Sequence, residues 1–135
     1  MSSDAVVVTA ELTDETCGMM DAAAFDRMRS NATLVNTARG PIVDTAALVN
    51  ALDDGRIAGA GLDVFETEPL PPDSPLHDRE SVVLTPHMGA SSVRARVRII
   101  DTLVASVAAA LERRPVDDRF VAVPPGSRLG PSRND

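Results

Sequence analysis

The sequence predicts an α/β fold: a mostly parallel sheet of about four strands with flanking helices and a long C-terminal helix. Three observations lead there. Four short apolar runs, rich in β-branched residues, read as buried strands. Helical spacing fills intervals between them, and strands alternating with helices require right-handed crossovers within one sheet. Finally, aromatics are scarce, with three Phe and no Trp or Tyr, so Val, Leu, Ile and Ala must do most of the packing, which favours thin, close layers.

The first strand is Ala5 to Val8, with Thr9 and Ala10 at its carboxyl end. Thr13 to Gly18 reads as a turn, and Asp21 caps a helix whose Phe25 and Met28 share a face at i, i+3. Ser30 and Asn31 break it. Thr33, Leu34 and Val35 make the second strand, ending at Asn36 and Thr37 before a turn at Gly40 and Pro41. Thr45 is expected to cap the next helix, whose buried stripe is Leu48, Val49 and Leu52, with Gly55 as a left-handed stop.

A third strand is expected over residues 57–64; its Gly59 and Gly61 weaken it but permit close backbone approach. A Pro-rich loop, 69–75, leads to a fourth strand over 81–84, ended by Thr85 and Pro86. Ser91 or Ser92 caps the last helix, where Val93, Val97, Ile100, Val104, Val107 and Leu111 recur at helical spacing and are expected to face a core. One folded domain is expected over 1–123, followed by a loose tail over 124–135 where Pro, Gly, Ser and Arg dominate.

At 135 residues and 44% apolar content the chain can bury a core of its own. A net charge of −7 argues against nucleic acid or an anionic membrane surface as partner, since both require a clustered positive field. All basic residues are Arg, which suits either a GC-rich genome or a salt-adapted proteome. Cys17 is the single cysteine and cannot form an internal disulfide. It is expected to be a small packing residue. No secretory signal is visible and no apolar run approaches the ~20 residues needed to cross a bilayer, so a cytoplasmic protein is expected.

Arg39, Glu68 and His87 each follow one of the apolar runs. In a parallel sheet such positions meet at one edge, where open α/β sheets hold ligands. An acid or base, a carboxylate to orient it and a guanidinium for an anion make a proton-transfer site. Each residue also has a plainer role available: Arg39 as a surface ion-pairing group, Glu68 as a loop carboxylate, His87 as a strand-end cap and Asp63 as a turn cap. His77, in the Pro-rich loop, is expected to face solvent.

The segments LVNTARGPIVD from Leu34, GLDVFETEP from Gly61 and VVLTPHMGA from Val82 occur in order with compatible spacing. They resemble the nicotinamide-binding domain of the D-isomer-specific 2-hydroxyacid dehydrogenases, and the weaker LTDETCGMMD extends the likeness to roughly residues 3–111. The resemblance implies a partial Rossmann-like domain, NAD or NADP as cofactor, no metal, a small 2-hydroxy or 2-keto acid as substrate and a homodimer. It implies that Arg39 binds substrate, His87 is the acid/base and Glu68 its partner. It further implies that Asp63 contacts the nicotinamide carboxamide, that Thr37, Ala38, Arg39, His87, Gly89 and Ala90 line the nicotinamide half, and that Ala10 approaches the cofactor ribose.

Family members often carry His, then Pro two residues on, where this chain has Thr9 and Glu11. A glycine-rich phosphate loop after a first strand is absent from this sequence; by the resemblance it, the acidic ribose selector and most of the substrate domain would lie upstream of Met1. Two functions stay open at this point. One is a hydride-transferring oxidoreductase or its catalytic portion; the other is a non-catalytic remnant or interaction module that keeps the fold. The identity of the acid and the choice between NAD and NADP are also open.

Overall fold

A computed structural model describes residues 3–120 and divides into two compact units, 1–90 and 91–135. The expected tail over 124–135 lies outside the described residues.

The first unit is a four-stranded parallel sheet: β1 (Ala5–Val8), β2 (Thr33–Asn36), β3 (Gly59–Leu62) and β4 (Val82–Leu84), in that spatial order. Helix α1 (Ala22–Asp26) connects β1 to β2, and α2 (Thr45–Asp53) connects β2 to β3. Both crossovers step the same way along the sheet, so right-handedness puts both helices on one face. Val6, Leu34, Ala60 and Val82 align across the strands on that face, and Leu34 and Ala60 are fully buried. The opposite row is Val7, Val35, Gly61 and Val83; Val7 is 57% and Val83 67% exposed. One side of the sheet therefore carries the core and the other lies largely bare.

The core gathers Phe25, Leu34, Ile42, Leu48 and Leu76, all essentially inaccessible to solvent. Asp21 caps α1 by accepting from the Ala24 amide at 2.8 Å, and Phe25 and Met28 both turn inward as their spacing requires. The cap of α2 is Asp44, not Thr45: Asp44 has extended backbone and its carboxylate accepts from the Ala47 amide at 2.9 Å, leaving Thr45 as the first helical residue. The buried stripe of α2 is correspondingly Ala47, Leu48 and Ala51, with Val49 and Leu52 half-buried beside it. Gly55 ends the helix at φ 65°, with the Arg56 amide donating back to the Ala51 carbonyl at 2.8 Å.

The third strand is shorter than expected. Ile57 and Val64 are buried but lie outside the ladder. Gly59 explains the glycine in that run: a Cβ there would meet the Ser81 carbonyl oxygen at 2.6 Å, so β3 and the entry to β4 approach closely only without a side chain. Cys17 is exposed instead of packed. Its position in the 13–18 turn puts it at the surface, where it fills no gap.

In the second unit, α3 (Val93–Leu111) is capped by Ser92, whose hydroxyl accepts from the Ala95 amide at 3.2 Å. Ala109 is buried within this unit, against the segment that follows the helix. The expected core stripe is exposed: Val93, Val97, Ile100, Val104, Val107 and Leu111 are each about half or more accessible. Periodicity identified the residues that share a face, while burial depends on an element to cover it. Among the described residues no helix is long and apolar enough to cross a membrane.

Candidate active site

The carboxyl ends of the four parallel strands form one edge of the sheet, and each candidate residue sits on the segment just beyond a strand. Ala10 follows β1. Thr37, Ala38 and Arg39 follow β2, Asp63 and Glu68 follow β3, and His87, Gly89 and Ala90 follow β4.

The closest meeting is between Glu68 and His87, where Oε2 of the carboxylate lies 2.7 Å from Nδ1 of the ring. The other carboxylate oxygen accepts from the Phe65 amide at 3.0 Å, so Glu68 is held from two directions. These contacts place its carboxyl below the ordinary range: the His87 hydrogen bond contributes most, then the Phe65 amide, with the Arg39 charge a smaller contribution. A carboxylate on Nδ1 fixes which ring nitrogen faces it and leaves Nε2 to act on another molecule. The His87 side chain is 49% exposed, so the ring is reachable.

Beside the pair is a cavity of about 550 Å³, within the usual size range for small-molecule sites. Phe65, Leu70, Leu84 and Pro86 give it apolar walls, and Glu68, His77 and His87 place polar groups on its lining. His77 is exposed, as its loop position suggests, and its Nε2 lies 3.0 Å from the Pro71 carbonyl.

Arg39 borders a second cavity, of about 540 Å³, with Thr9, Ala10, Glu11, Leu12 and Ala38. Its guanidinium is exposed and donates through Nη1 to the Ala38 carbonyl at 2.7 Å. It influences Glu68 by charge, and no direct bond joins it to the Glu68–His87 pair. Arg39 thus has most of its five donors available for an anion.

Two buried polar side chains support these loops and escaped sequence reasoning in that role. Asn36, 1% exposed, donates from Nδ2 to the Arg39 carbonyl at 3.0 Å and accepts at Oδ1 from the Ala38 amide at 3.1 Å. Asp63, 7% exposed, accepts from the Thr85 hydroxyl and the Met88 amide (2.8 Å) at Oδ1, and from the Gly89 amide (2.9 Å) at Oδ2. Those donors, the Thr85 hydroxyl first, hold the Asp63 carboxyl below the ordinary range. The signal in the sequence was a polar residue ending an apolar strand.

His87 itself has φ 52°, a left-handed conformation costing a non-glycine residue roughly 1–3 kcal/mol unless its surroundings enforce it. Gly40 is equally constrained: a Cβ there would lie 1.9 Å from the Phe65 carbonyl carbon and 2.4 Å from the Glu66 nitrogen. The Arg39 loop therefore sits directly on the backbone that leads to Glu68.

The residues present suit a nicotinamide nucleotide. Ala10, Ala38, Gly89 and Ala90 keep the rim free of large side chains, and a Cβ at Gly89 would press on Asp63 Oδ2 at 3.3 Å. Three donors occupy the Asp63 carboxylate, which has about four acceptor positions, so one remains for an amide N–H.

The structure defines a parallel α/β domain with a histidine–carboxylate pair at the carboxyl edge of its sheet, where open α/β sheets hold ligands. The sequence matches the family described as D-isomer specific 2-hydroxyacid dehydrogenase, NAD binding domain, over residues 1–89, and the chain belongs to that family. It is 46% identical over 110 residues to a glyoxylate reductase of Thermofilum pendens, covering 82% of this chain and 32% of that one. An NADPH-dependent glyoxylate/hydroxypyruvate reductase from Sinorhizobium meliloti, solved with NADP and malonate, is 39% identical with a TM-score of 0.74 and covers 80% of this chain and 34% of its own. A D-isomer specific 2-hydroxyacid dehydrogenase from Xanthobacter autotrophicus Py2, solved with NADPH and MES, is 41% identical with a TM-score of 0.72, over 87% of this chain and 49% of that one. The chain spans about a third of the length of the curated relatives it matches.

Proposed function

We propose that this chain is the catalytic portion of an NAD- or NADP-dependent reductase of small 2-keto acids, of the glyoxylate or hydroxypyruvate kind, working in the cytoplasm. The observation that carries the reading is the 2.7 Å approach of His87 Nδ1 to Glu68 Oε2 at the strand edge that also bears Arg39. The substrate class comes from the names of the relatives, glyoxylate and glyoxylate/hydroxypyruvate reductases.

A 2-keto acid presents a carboxylate beside a ketone. Arg39 binds these oxygens through its planar fork and stays charged at any working pH. His87, protonated at Nε2, donates that proton to the ketone oxygen as negative charge grows there, so that no free alkoxide has to form. Glu68 stabilises the positive charge of the imidazolium and holds the ring in one orientation. Asp63, Thr37, Ala38, Gly89 and Ala90 are the residues that would hold the nicotinamide end, and Ala10 the adjoining ribose. When bound, the nicotinamide supplies the hydride in reduction and accepts it in oxidation, where His87 takes the proton back.

In a form of the enzyme that turns over glyoxylate, His87→Asn is expected to lower kcat by roughly 10²–10⁴-fold, the usual worth of a positioned acid. Dinucleotide affinity, read by calorimetry, should change little; equal losses in both would contradict the acid/base role. The 135 residues alone lack a glycine-rich amide cradle for the pyrophosphate, so by themselves they should bind dinucleotide weakly and show little turnover.

The chain is also proposed to form a homodimer. The bare sheet face and the apolar stripe of α3 support self-association. The same exposed stripe favours the second reading, an interaction module that retains the fold without catalysis; steady keto-acid reduction lost in His87→Asn separates the two.

A further inference from the structure

We propose that Asp63 is a positioning residue, which pins the loop after β4 and so sets His87 against Glu68, in addition to any contact it makes with the nicotinamide. The inference deepens the reading of His87 as acid/base and rests on it.

Asp63 grips the loop on both sides of His87. Its carboxylate holds the Thr85 hydroxyl two residues before the histidine and the Met88 and Gly89 amides just after it. Its backbone carbonyl accepts from the His87 amide at 2.8 Å. Four donors from five consecutive residues thus converge on one residue. Asp63 is itself fixed to the sheet, because its amide donates to the Asn36 carbonyl at 3.0 Å.

That clamp is what a left-handed histidine requires. A His tolerates φ 52° better than most non-glycine residues but still more poorly than φ below zero, so a loop released from its anchors relaxes to φ below zero and swings the ring away from Glu68. A buried, nearly saturated carboxylate suits such a task, since its charge strengthens each N–H and O–H bond it accepts. Gly89 fits the same design: its missing Cβ lets the amide come within 2.9 Å of Oδ2.

The sign of one titration tests the inference without substrate or cofactor. The groups acting on Glu68 are His87 through its ring, Phe65 through its amide and Arg39 through its charge. In the 135-residue chain labelled with ¹³C at glutamate carboxyls, the Glu68 resonance is followed against pH in wild type, Asp63→Asn and Thr85→Val. If the loop is released, Glu68 loses its largest stabilising contact and its midpoint rises toward the ordinary glutamate range. If the loop stays put, removing the negative charge of Asp63 can only lower that midpoint or leave it unchanged.

A rise in Asp63→Asn, with displaced Met88 and Gly89 amide resonances, is the expected result. Thr85→Val keeps the carboxylate and removes one donor, so it should give a smaller rise, and it decides the matter by the same readout where Asp63→Asn does not fold. A fall or no change overturns the inference, as does an equal rise in the core variant Leu48→Ala, which would reduce the effect to general loosening. Failure of the acid/base reading looks different: unchanged turnover in His87→Asn sinks that reading and leaves the titration result standing.

Discussion

At residue scale the site depends on atoms the sequence motif does not advertise. Arg39, Glu68 and His87 were legible because each follows an apolar run, and their placement at one strand edge follows from parallel pairing alone. Asn36, Asp63 and Gly40 hold them there; the Asp63 and Gly40 contacts join segments far apart in the chain, and the Asn36 bonds, though local, depend on the fold of the turn after β2. Gly40→Ala forces a carbon into the Phe65 backbone, with no flexible side chain to give way. It should cost about 3 kcal/mol, the upper end for overpacking, in chemical denaturation; a loss under about 0.5 kcal/mol would mean the two loops part easily. Asp63 makes stability depend on pH in a definite direction. Its folded carboxyl titrates below its unfolded value, so its contribution is fully present above the unfolded pKa of about 4 and is lost as pH falls through the folded value. The stability gap between wild type and Asp63→Asn should therefore be widest above pH ~4 and narrow in stronger acid; a gap independent of pH would contradict the shift.

At the scale of elements, strand order, helix placement and the stop at Gly55 follow from patterning, whereas boundaries do so only in part. Residues 57–64 are apolar but for Asp63, yet the strand runs only over Gly59–Leu62 and pairs on both sides only over residues 60–62, because Ile57 and Val64 are buried by packing outside the ladder. At α2, Asp44 and Thr45 are both good capping types, and only the backbone decides between them: Asp44 is extended and Thr45 helical. Asp44→Ala should cost about 1 kcal/mol in thermal or chemical unfolding, and Thr45→Ala clearly less. Equal costs would show that the bond from Asp44 to the Ala47 amide is not what holds the first turn. The apolar stripe of α3 marks the limit of patterning, since spacing fixes which side chains share a face and says nothing about what lies against it.

The first unit by itself shows a largely bare sheet face and the second a helix with six apolar residues exposed along one stripe, and surfaces of that kind make self-association the expected behaviour. Light scattering at micromolar concentration should report a dimer or larger species, and a monomer would count against both the dimer and the interaction-module reading. Formal charge gives little help to a lone chain here, because a net −7 spread over the surface opposes close approach without hiding apolar area. The sheet has another property: strand order in space is strand order in sequence. Among the described residues no strand must be threaded between two already in place, so during synthesis each newly emerged β-segment finds its neighbour waiting on the growing side. These four strands can be laid down in turn as they leave the ribosome, with the histidine loop following the arginine and glutamate loops.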